Sequence, residues 1–274
     1  MKKLILVFVA LMALALAGCS GGEKAGKIES VPALKDKVIC TVSPAMPQQK
    51  LEATIANYIG EKPKQVTFYN RMTDCVAALL AGKVDAVFGS KFIAEYYAKK
   101  NNGLKAIFKQ TVPVNAVMAL RNEDTQLRDD LDKAITALKD NGTLKRLETE
   151  WVTNLPASGE PPTGKDVPKI EGAKTVYVGV CGDYVPLDYI ASNGRPAGFN
   201  VALLTEIGKL MNVNFEFVSL ETPARFAALS AKKIDLIFCN LEGNSVALQA
   251  LKNNNWIATK PYFSSEGGYF LVKK

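Results

Sequence analysis

The segment that decides the fold is Ser230-Ala-Lys-Lys-Ile-Asp-Leu-Ile-Phe238, in which a helix end and two lysines lead into a short apolar run. An earlier segment, Leu80-Ala-Gly-Lys-Val-Asp-Ala-Val-Phe88, follows the same plan. Short apolar runs of this kind, bounded by turn residues, are typical of buried β-strands. The two segments therefore predict the same strand in two similar halves of one chain.

Around both segments, predicted strands alternate with predicted helices. In chain order, the predicted elements are strand 37–42, helix 48–59, strand 66–69, a helix through Leu80 that either Thr73 or Asp74 caps, strand 84–88, two helices within 126–151, strand 175–180, helix 201–211, strand 214–218, helix 222–231 and strand 234–238. Such alternation predicts parallel sheets covered by helices, with ligands bound beyond the carboxyl ends of the strands. We expect an α/β fold of two lobes, each a mostly parallel sheet flanked by helices, that are joined by a hinge and face a cleft.

The first residues have the pattern of an export signal. Two lysines precede the uncharged apolar run 4–17, which is shorter than the roughly twenty residues of a membrane span. The run closes on Leu16-Ala-Gly-Cys19, which is similar to the bacterial lipobox, where cleavage exposes a cysteine that is then acylated. We predict a signal peptide at 1–18 and a lipidated Cys19 with a tether at 19–34, hence a membrane-anchored periplasmic or cell-surface lipoprotein. An ordinary cleaved signal with a chance cysteine is the alternative.

Composition argues against several classes of function. The chain has 274 residues, a formal net charge of +7 and no histidine, the commonest general base and metal ligand. The basic residues are not clustered among aromatics as a nucleic-acid surface would need. Besides Cys19, the cysteines are Cys40, Cys75, Cys181 and Cys239, and none has the paired spacing of a zinc site. We expect no metal, other cofactor or nucleic-acid partner, and both disulfides and free thiols stay open.

The chain also contains one clear internal boundary. Residues 153–174 hold four prolines and three glycines, which is typical of an exposed linker, and we place that linker at 156–173.

Five further motifs occur together in one known family. They are Tyr184-Val-Pro-Leu-Asp-Tyr189, Gly198-Phe-Asn-Val-Ala-Leu203, Trp256-Ile-Ala-Thr-Lys-Pro-Tyr-Phe263, Glu95-Tyr-Tyr97 and Asn141-Gly-Thr-Leu144. The first three resemble the opening of the bacterial extracellular solute-binding proteins of family 3, the amino-acid receptors of ABC importers. The last two resemble the later half of that family. The resemblance covers nearly all of 35–155 and 174–274.

The order of these motifs is the reverse of the order in the family. We interpret this as a circular permutation in which the linker joins the original ends, because the termini of one domain often lie close together. The resemblance then implies a lobe 2-like domain at 35–115, a hinge return with the closing helices of lobe 1 at 116–155, and a lobe 1-like domain at 174–274. The alternative is a domain-swapped dimer, in which lobes of two copies pair.

The resemblance implies three anchors for an amino acid, and the sequence departs from each. The family places an Arg, which takes a carboxylate as a bidentate fork, and a Thr after the third strand of lobe 1. Here Glu242 replaces the Thr, and either Ala247 or Leu248 replaces the Arg. The Asp that takes the ammonium group in lobe 2 is replaced by Ser90. These departures count against a family-typical amino-acid ligand.

Other residues are expected in the ligand site on the same resemblance. Tyr184 stands where the family stacks a ring on the ligand, unless it only packs at the rim. Arg225 is similar to an Arg that faces the cleft in members that bind acidic ligands, unless it lies on the surface. Arg225 favours an anion and Glu242 a cation, or the two form a pair. The remaining predicted ligand contacts are Cys239, Asn240, Ser90 and Ser43.

Cys181 and Cys239 follow predicted neighbouring strands of lobe 1. Their Cα atoms are expected within the range that a disulfide needs, about 4.4–6.8 Å. We predict either a disulfide or two free thiols at this place.

The function implied by the resemblance is binding, not catalysis. A small solute would close the two lobes, and the closed form would deliver it to an ABC transporter permease. One alternative is a degenerate receptor that signals or scaffolds. Another is a dehydratase-like enzyme on the same fold, for which Glu242 is the acid–base candidate in the sequence.

Overall fold

Two long strands, β4 (Leu104–Arg121) and β12 (Phe263–Lys273), run through the middle of a computed structural model of the protein. The structure describes residues 27–44, 47–155, 161–164, 167, 169–242 and 251–274. The predicted signal peptide, Cys19 and part of the predicted linker lie outside these residues. Within the described ranges, no helix combines the length and the apolarity that crossing a bilayer requires.

The other elements alternate much as the sequence predicts. In chain order they are β1 (Val38–Val42), α1 (Gln48–Ile59), β2 (Gln65–Tyr69), α2 (Met72–Leu80), β3 (Ala86–Gly89), α3 (Lys91–Lys100), α4 (Thr125–Asp140), α5 (Thr143–Glu148), β5 (Thr175–Val180), β6 (Asp183–Tyr184), β7 (Asp188–Ile190), β8 (Pro196–Ala197), α6 (Phe199–Met211), β9 (Asn214–Ser219), α7 (Thr222–Ser230), β10 (Leu236–Glu242) and β11 (Trp256–Ala258). A 3-10 turn at Val31–Leu34 precedes β1, and a π-helical turn at Thr149–Thr153 follows α5.

In the described part of the chain, nine strands form one sheet in the order β2-β1-β3-β12-β4-β10-β5-β9, with β11 on β4. Strand β1 is parallel to β2 and β3, and β5 is parallel to β9 and β10. We call the half built on β1, β2 and β3 lobe 2, and the half built on β5, β9 and β10 lobe 1. The fold is therefore a mixed α/β fold with two mostly parallel lobes, as the alternation predicts.

Strands β4 and β12 join the lobes. They are antiparallel to each other over most of their length, β12 continues onto β3, and β4 continues onto β10. The chain thus starts in lobe 2, crosses to lobe 1 in β4, and returns to lobe 2 in β12. Two strands that belong to both lobes are the hinge of this fold.

The inner strands β1 and β10 are buried on both faces, which explains their continuous apolar runs. In β1, Ile39 and Cys40 have no exposed surface and belong to two different hydrophobic clusters, one on each face of the sheet. In β10, Leu236 and Ile237 are divided in the same way. Since successive side chains of a strand point to opposite faces, helices must cover both sides of each lobe.

The end of the predicted tether belongs to lobe 2 in the structure. Val31 and Leu34 are buried, and Ile28 is 8% exposed. They pack with Ile55 and Phe270 in one hydrophobic cluster. The prediction of a tether over 19–34 is therefore corrected at its end, because the apolar side chains from Ile28 onward bury themselves.

The predicted caps of α2 are also corrected. The helix begins at Met72 with Arg71 as its N-cap, and no side chain caps it. Thr73, one of the two predicted caps, uses its hydroxyl and its backbone N–H to bond Asp183 in lobe 1 instead. Thr73 thus makes a tertiary contact with the other lobe instead of capping its own helix.

The close packing at the hinge requires a residue that has no side chain. Gly268 lies at the bulge between β12 and β4 and has a φ of 85°, in the left-handed region that favours glycine. A Cβ atom there would collide with the Tyr58 ring and lie 2.7 Å from the carbonyl oxygen of Gln110. The two hinge strands and α1 can therefore approach this closely only at a glycine.

We expect Gly268→Ala to lower the free energy of unfolding by about 2–4 kcal/mol, since it adds both left-handed strain and overpacking. The melting temperature should fall by roughly 5–12 °C in circular dichroism melts. Gly103→Ala is the matched control, because no atom lies within 4 Å of a Cβ at that position. Equal melting temperatures for the two variants would refute the packing argument.

Candidate functional site

A cavity of about 650 Å³ lies between the lobes at the carboxyl ends of the parallel strands. Lobe 2 lines it with Thr41, Val42 and Ser43 at the end of β1, with Gly89 and Ser90 at the end of β3, and with residues of α1. Lobe 1 lines it with residues that follow β5 and belong to β10 and α7. Both hinge strands form its floor, so a hinge motion changes the shape of this cavity.

Most of the predicted site residues meet in this cavity. Its lining includes Tyr184, Arg225, Cys239, Ser90 and Ser43, together with Cys181. Asn240 and Glu242 belong to β10, but their side chains lie outside the described part of the structure. Ala247 and Leu248 also lie outside it. The sequence therefore selected the correct strand ends as the walls of one cleft.

Arg225 is the most unusual side chain in the cavity. It is carried by α7 and is only 7% exposed. Its Nη2 donates a hydrogen bond to the Thr222 Oγ1 atom at 3.2 Å. Its Nε is buried and has no hydrogen-bond partner among the described residues. The alternative of a surface arginine is excluded, and a charged donor faces the cavity without a partner in the described residues.

Asp188 supplies the nearby negative charge. It is 3% exposed, and its two carboxylate oxygens accept hydrogen bonds from the Cys181 backbone N–H at 2.9 Å and from Asn200 Nδ2 at 3.0 Å. The Tyr262 hydroxyl in turn donates to Asn200 Oδ1 at 3.0 Å. Burial raises the pKa of Asp188 to about 6, although the charge of Arg225 and these hydrogen bonds act against that rise. This buried series of hydrogen bonds holds Asp188, Asn200 and Tyr262 in place at the base of the site.

Tyr184 extends from lobe 1 to lobe 2. Its ring meets the Phe92 ring edge-on, with centroids 5.8 Å apart. Burial raises the pKa of Tyr184 to about 12, and the Ser90 hydroxyl, which lies close by, acts in the opposite direction. Tyr184 thus lines the cavity and packs against lobe 2, whereas the predicted alternative placed it at the rim of lobe 1.

Two further contacts join the lobes across the cavity mouth. The Oδ2 atom of Asp183 accepts hydrogen bonds from the backbone N–H and the hydroxyl of Thr73, each at 3.2 Å. Glu221 accepts one from Asn70 at 2.9 Å. Each contact joins a lobe 1 carboxylate to a donor at or just before the start of α2 in lobe 2. The two lobes are therefore in direct contact beside the cavity.

The four cysteines of the described part carry free thiols in the structure, so the predicted disulfide between Cys181 and Cys239 is not formed here. Cys181 Sγ lies 3.8 Å from the Thr222 hydroxyl. Burial raises the pKa of both Cys181 and Cys239 to about 11, with Arg225 acting against it in each case. The two thiols share the electrostatic environment of Arg225.

Sequence reasoning missed the buried carboxylate and the residues that hold it. Asp188 lies inside the motif Tyr184–Tyr189, and Asn200 lies inside Gly198–Leu203, but no role was assigned to either side chain. The available signal was a charged residue among apolar neighbours in a predicted buried segment. Asp183 and Thr73 gave no such signal, because their contact joins residues that are 110 positions apart.

These features define a class of protein: two α/β lobes, joined by a pair of hinge strands, that enclose a charged cavity at their strand ends. The sequence model of the bacterial extracellular solute-binding proteins, family 3, matches residues 50–154 and 176–274. The match covers well over half of the chain, and the protein belongs to this family.

Two curated relatives are similar to parts of the chain. A probable amino-acid ABC transporter-binding protein of Haemophilus influenzae is 30% identical over 110 residues, which is 40% of each chain. The arginine-binding extracellular protein ArtP of Bacillus subtilis is 27% identical over 134 residues, 48% of this chain and 51% of that protein. The matched segments thus span about half or less of these relatives. Among solved structures, an arginine-bound arginine-binding protein of T. maritima is 14% identical, with a TM-score of 0.42, and the match covers 86% of this chain and 87% of that one.

The raised pKa of Asp188 predicts a pH-dependent stability. Its pKa is higher in the folded chain than in the unfolded chain, where an Asp titrates near 3.9, so the folded state holds the proton more tightly. The contribution of Asp188 to folding is therefore most favourable below about pH 4 and is lost as the pH rises to about 6. The loss is on the order of 2–3 kcal/mol.

We expect Asp188→Asn to remove this dependence. The difference in melting temperature between the variant and the parent protein should change in favour of the variant from pH 4 to pH 6.5, and then stay constant. Differential scanning calorimetry across that range measures it. Asp129→Asn, at an exposed position of α4, is the control. A difference that does not vary with pH would show that Asp188 keeps an ordinary pKa.

Proposed function

We propose that this protein captures a small carboxylate, an amino acid or a related organic anion, in the interlobe cleft and delivers it to an ABC importer. The observation that carries the proposal is the buried guanidinium of Arg225, with an Nε that has no partner among the described residues. The names of both curated relatives, an amino-acid ABC transporter-binding protein and an arginine-binding protein, agree with this class of ligand and partner.

A carboxylate fits the needs of Arg225. A buried charged donor without a partner is costly, and a guanidinium presents its N–H groups in a fork that matches the two oxygens of a carboxylate. The ligand carboxylate would supply the hydrogen-bond acceptor that Arg225 Nε lacks among the described residues. Thr222 already holds one end of the guanidinium, so the fork is oriented before the ligand arrives.

The rest of the described lining suggests a ligand with one charged end. Its charged side chains, Asp183, Asp188 and Arg225, all belong to lobe 1. Lobe 2 contributes uncharged groups, among them Thr54 and Asn57 of α1. We infer that the charged end of the ligand binds lobe 1 first, and that lobe 2 closes over a polar or apolar remainder. The contacts of Asp183 with Thr73 and of Glu221 with Asn70 would then stabilise the closed form.

The decisive test is a thermal-shift panel on the full chain carrying Cys19→Ala, with amino acids, dicarboxylates, aromatic acids and polyamines. We expect a carboxylate class to raise the melting temperature, and Arg225→Met to weaken its binding roughly 30–150-fold, or about 2–3 kcal/mol, in isothermal titration calorimetry. Arg225→Lys keeps the charge without the fork and should recover only part of the affinity.

Arg146→Met is the matched control, since Arg146 lies on α5 outside the cavity and its side chain is 56% exposed. Unchanged affinity in a folded Arg225→Met variant would refute the carboxylate site. A folded parent protein that binds no member of the panel would favour the alternative of a degenerate receptor that signals or scaffolds.

One observation favours an enzyme as the second candidate. Asp188 is a buried carboxyl group with a pKa of about 6 beside a cationic side chain, and such a group is suited to acid–base catalysis. Both of its oxygens already accept hydrogen bonds from the protein, which supports a structural role instead. Turnover of prephenate-like substrates that is lost in Asp188→Asn would establish the enzyme.

We also propose a lipid anchor on Cys19, and a circular permutation with a lobe 2-like domain at 35–115 and lobe 1 formed by 116–155 and 174–274, joined by the linker 156–173. The lipobox-like motif supports the anchor, and the reversed order of the family's motifs along the chain supports the permutation.

Both proposals have direct tests in one bacterial expression host. The parent chain should incorporate an alkyne-labelled fatty acid and remain with the membrane, whereas Cys19→Ala should lose the label and be released. Light scattering of the released variant should give the mass of one chain. Twice that mass would favour the domain-swapped dimer, and an unlabelled parent chain would leave only an ordinary signal peptide.

A further inference from the structure

Cys181 directly follows β5, and Cys239 lies within β10, the parallel strand next to it. The register of β5 and β10 pairs Val178 with Leu236 and Gly179 with Ile237. Cys181 is the first residue after β5, and this register, continued for two residues, places it beside Cys239. Neighbouring strands are about 4.8 Å apart, which falls within the Cα separation that disulfides adopt.

The two side chains also share one environment. Both line the cavity between the lobes. Cys181 is close enough to raise the pKa of Cys239, and Arg225 acts on both thiols. Cys40 and Cys75 are also close to each other, but both have no exposed surface, and the Cys40 thiol donates to the Cys75 carbonyl oxygen inside lobe 2.

We propose that Cys181 and Cys239 are a redox modification site in the floor of the ligand cleft, where they form a reversible intramolecular disulfide. The protein belongs to an extracellular family, and thiols outside the cytosol meet oxidants and small disulfides that convert neighbouring pairs. Oxidation links the residue after β5 to β10, so a covalent bond then fixes these two strands to each other near Arg225.

The step balances with a small-molecule disulfide as the oxidant. The thiolate of one cysteine attacks a sulfur of that disulfide, forms a mixed disulfide and releases one small thiol. The second cysteine then attacks the mixed disulfide, which forms the Cys181–Cys239 bond and releases the second small thiol. The two cysteines together lose two electrons and two protons, and both pairs pass to the small disulfide.

The guanidinium of Arg225 assists this step. Burial disfavours a thiolate at either cysteine, whereas the positive charge of Arg225 stabilises it. The Cys181 sulfur leaves the hydroxyl of Thr222, 3.8 Å away, to bond with Cys239. Thr222 keeps its hydrogen bond with Arg225, so the orientation of the guanidinium survives oxidation.

The four cysteines can be followed separately in one experiment. Trypsin leaves Cys40 on peptide 38–50, Cys75 on 72–83, Cys181 on 175–209 and Cys239 on 234–252. The full chain carrying Cys19→Ala is incubated with oxidised glutathione or with a phosphine reductant, then denatured, alkylated and digested. Mass spectrometry is expected to find 175–209 linked to 234–252 only after oxidation, while 38–50 and 72–83 stay alkylated.

The melting temperature gives a second measurement, because a disulfide restricts the unfolded chain. We expect oxidation to raise it by roughly 5–10 °C in the parent protein and not in Cys181→Ser or Cys239→Ser. Cys40→Ala is the control and should keep the oxidised rise. Four alkylated peptides after oxidation, a link between 38–50 and 72–83, or a glutathione adduct that persists on one cysteine would each overturn the proposal. The assay needs no ligand, so its outcome is independent of the carboxylate proposal.

Discussion

The antiparallel pairing of β4 with β12 is the constraint on which the rest of the structure depends. Each strand is shared by the two lobes. The hydrogen bonds that join the two halves of the nine-stranded sheet therefore also hold the lobes facing each other. The parallel strands of the lobes end toward the cavity, where the helices and loops carry the functional side chains. Gly268 is required at this junction because α1 and the two hinge strands meet there without room for a side chain.

The chemistry of the cleft follows from what this arrangement buries. Arg225 and Asp188 are both buried, yet they differ in how completely their polar atoms are hydrogen-bonded. Asp188 has its oxygens satisfied by Cys181 and Asn200, whereas Arg225 retains a donor without a partner in the described residues. A charge that is buried and incompletely bonded is suited to binding a ligand of opposite charge. The same cation also acts on the neighbouring thiols, which links the proposed anion binding and the proposed disulfide to one residue.

Local elements were predictable where the residues of one segment by themselves determine its secondary structure. Helix α1 and strand β5 have the bounds expected from their periodicity and apolar runs. The full length of β4 was not expected, because Pro113 and several polar residues interrupt its apolar pattern. Pairing with β12 and β10 sustains that strand, and those partners come from distant parts of the chain. The cap of α2 was missed for the same reason, since Thr73 bonds to the other lobe.

The sequence by itself determined the alternation of strands and helices, the family, and a set of candidate cleft residues, namely Tyr184, Arg225, Cys239, Ser90 and Ser43. These follow from local periodicity and from motifs whose residues are neighbours in the chain. Only the tertiary structure decided that Arg225 is buried, that Asp188 is its counter-charge, and that the lobes meet through Asp183 and Thr73. Burial, pKa and cross-lobe hydrogen bonds depend on which surfaces exclude water from each other, and that is a property of the assembled lobes.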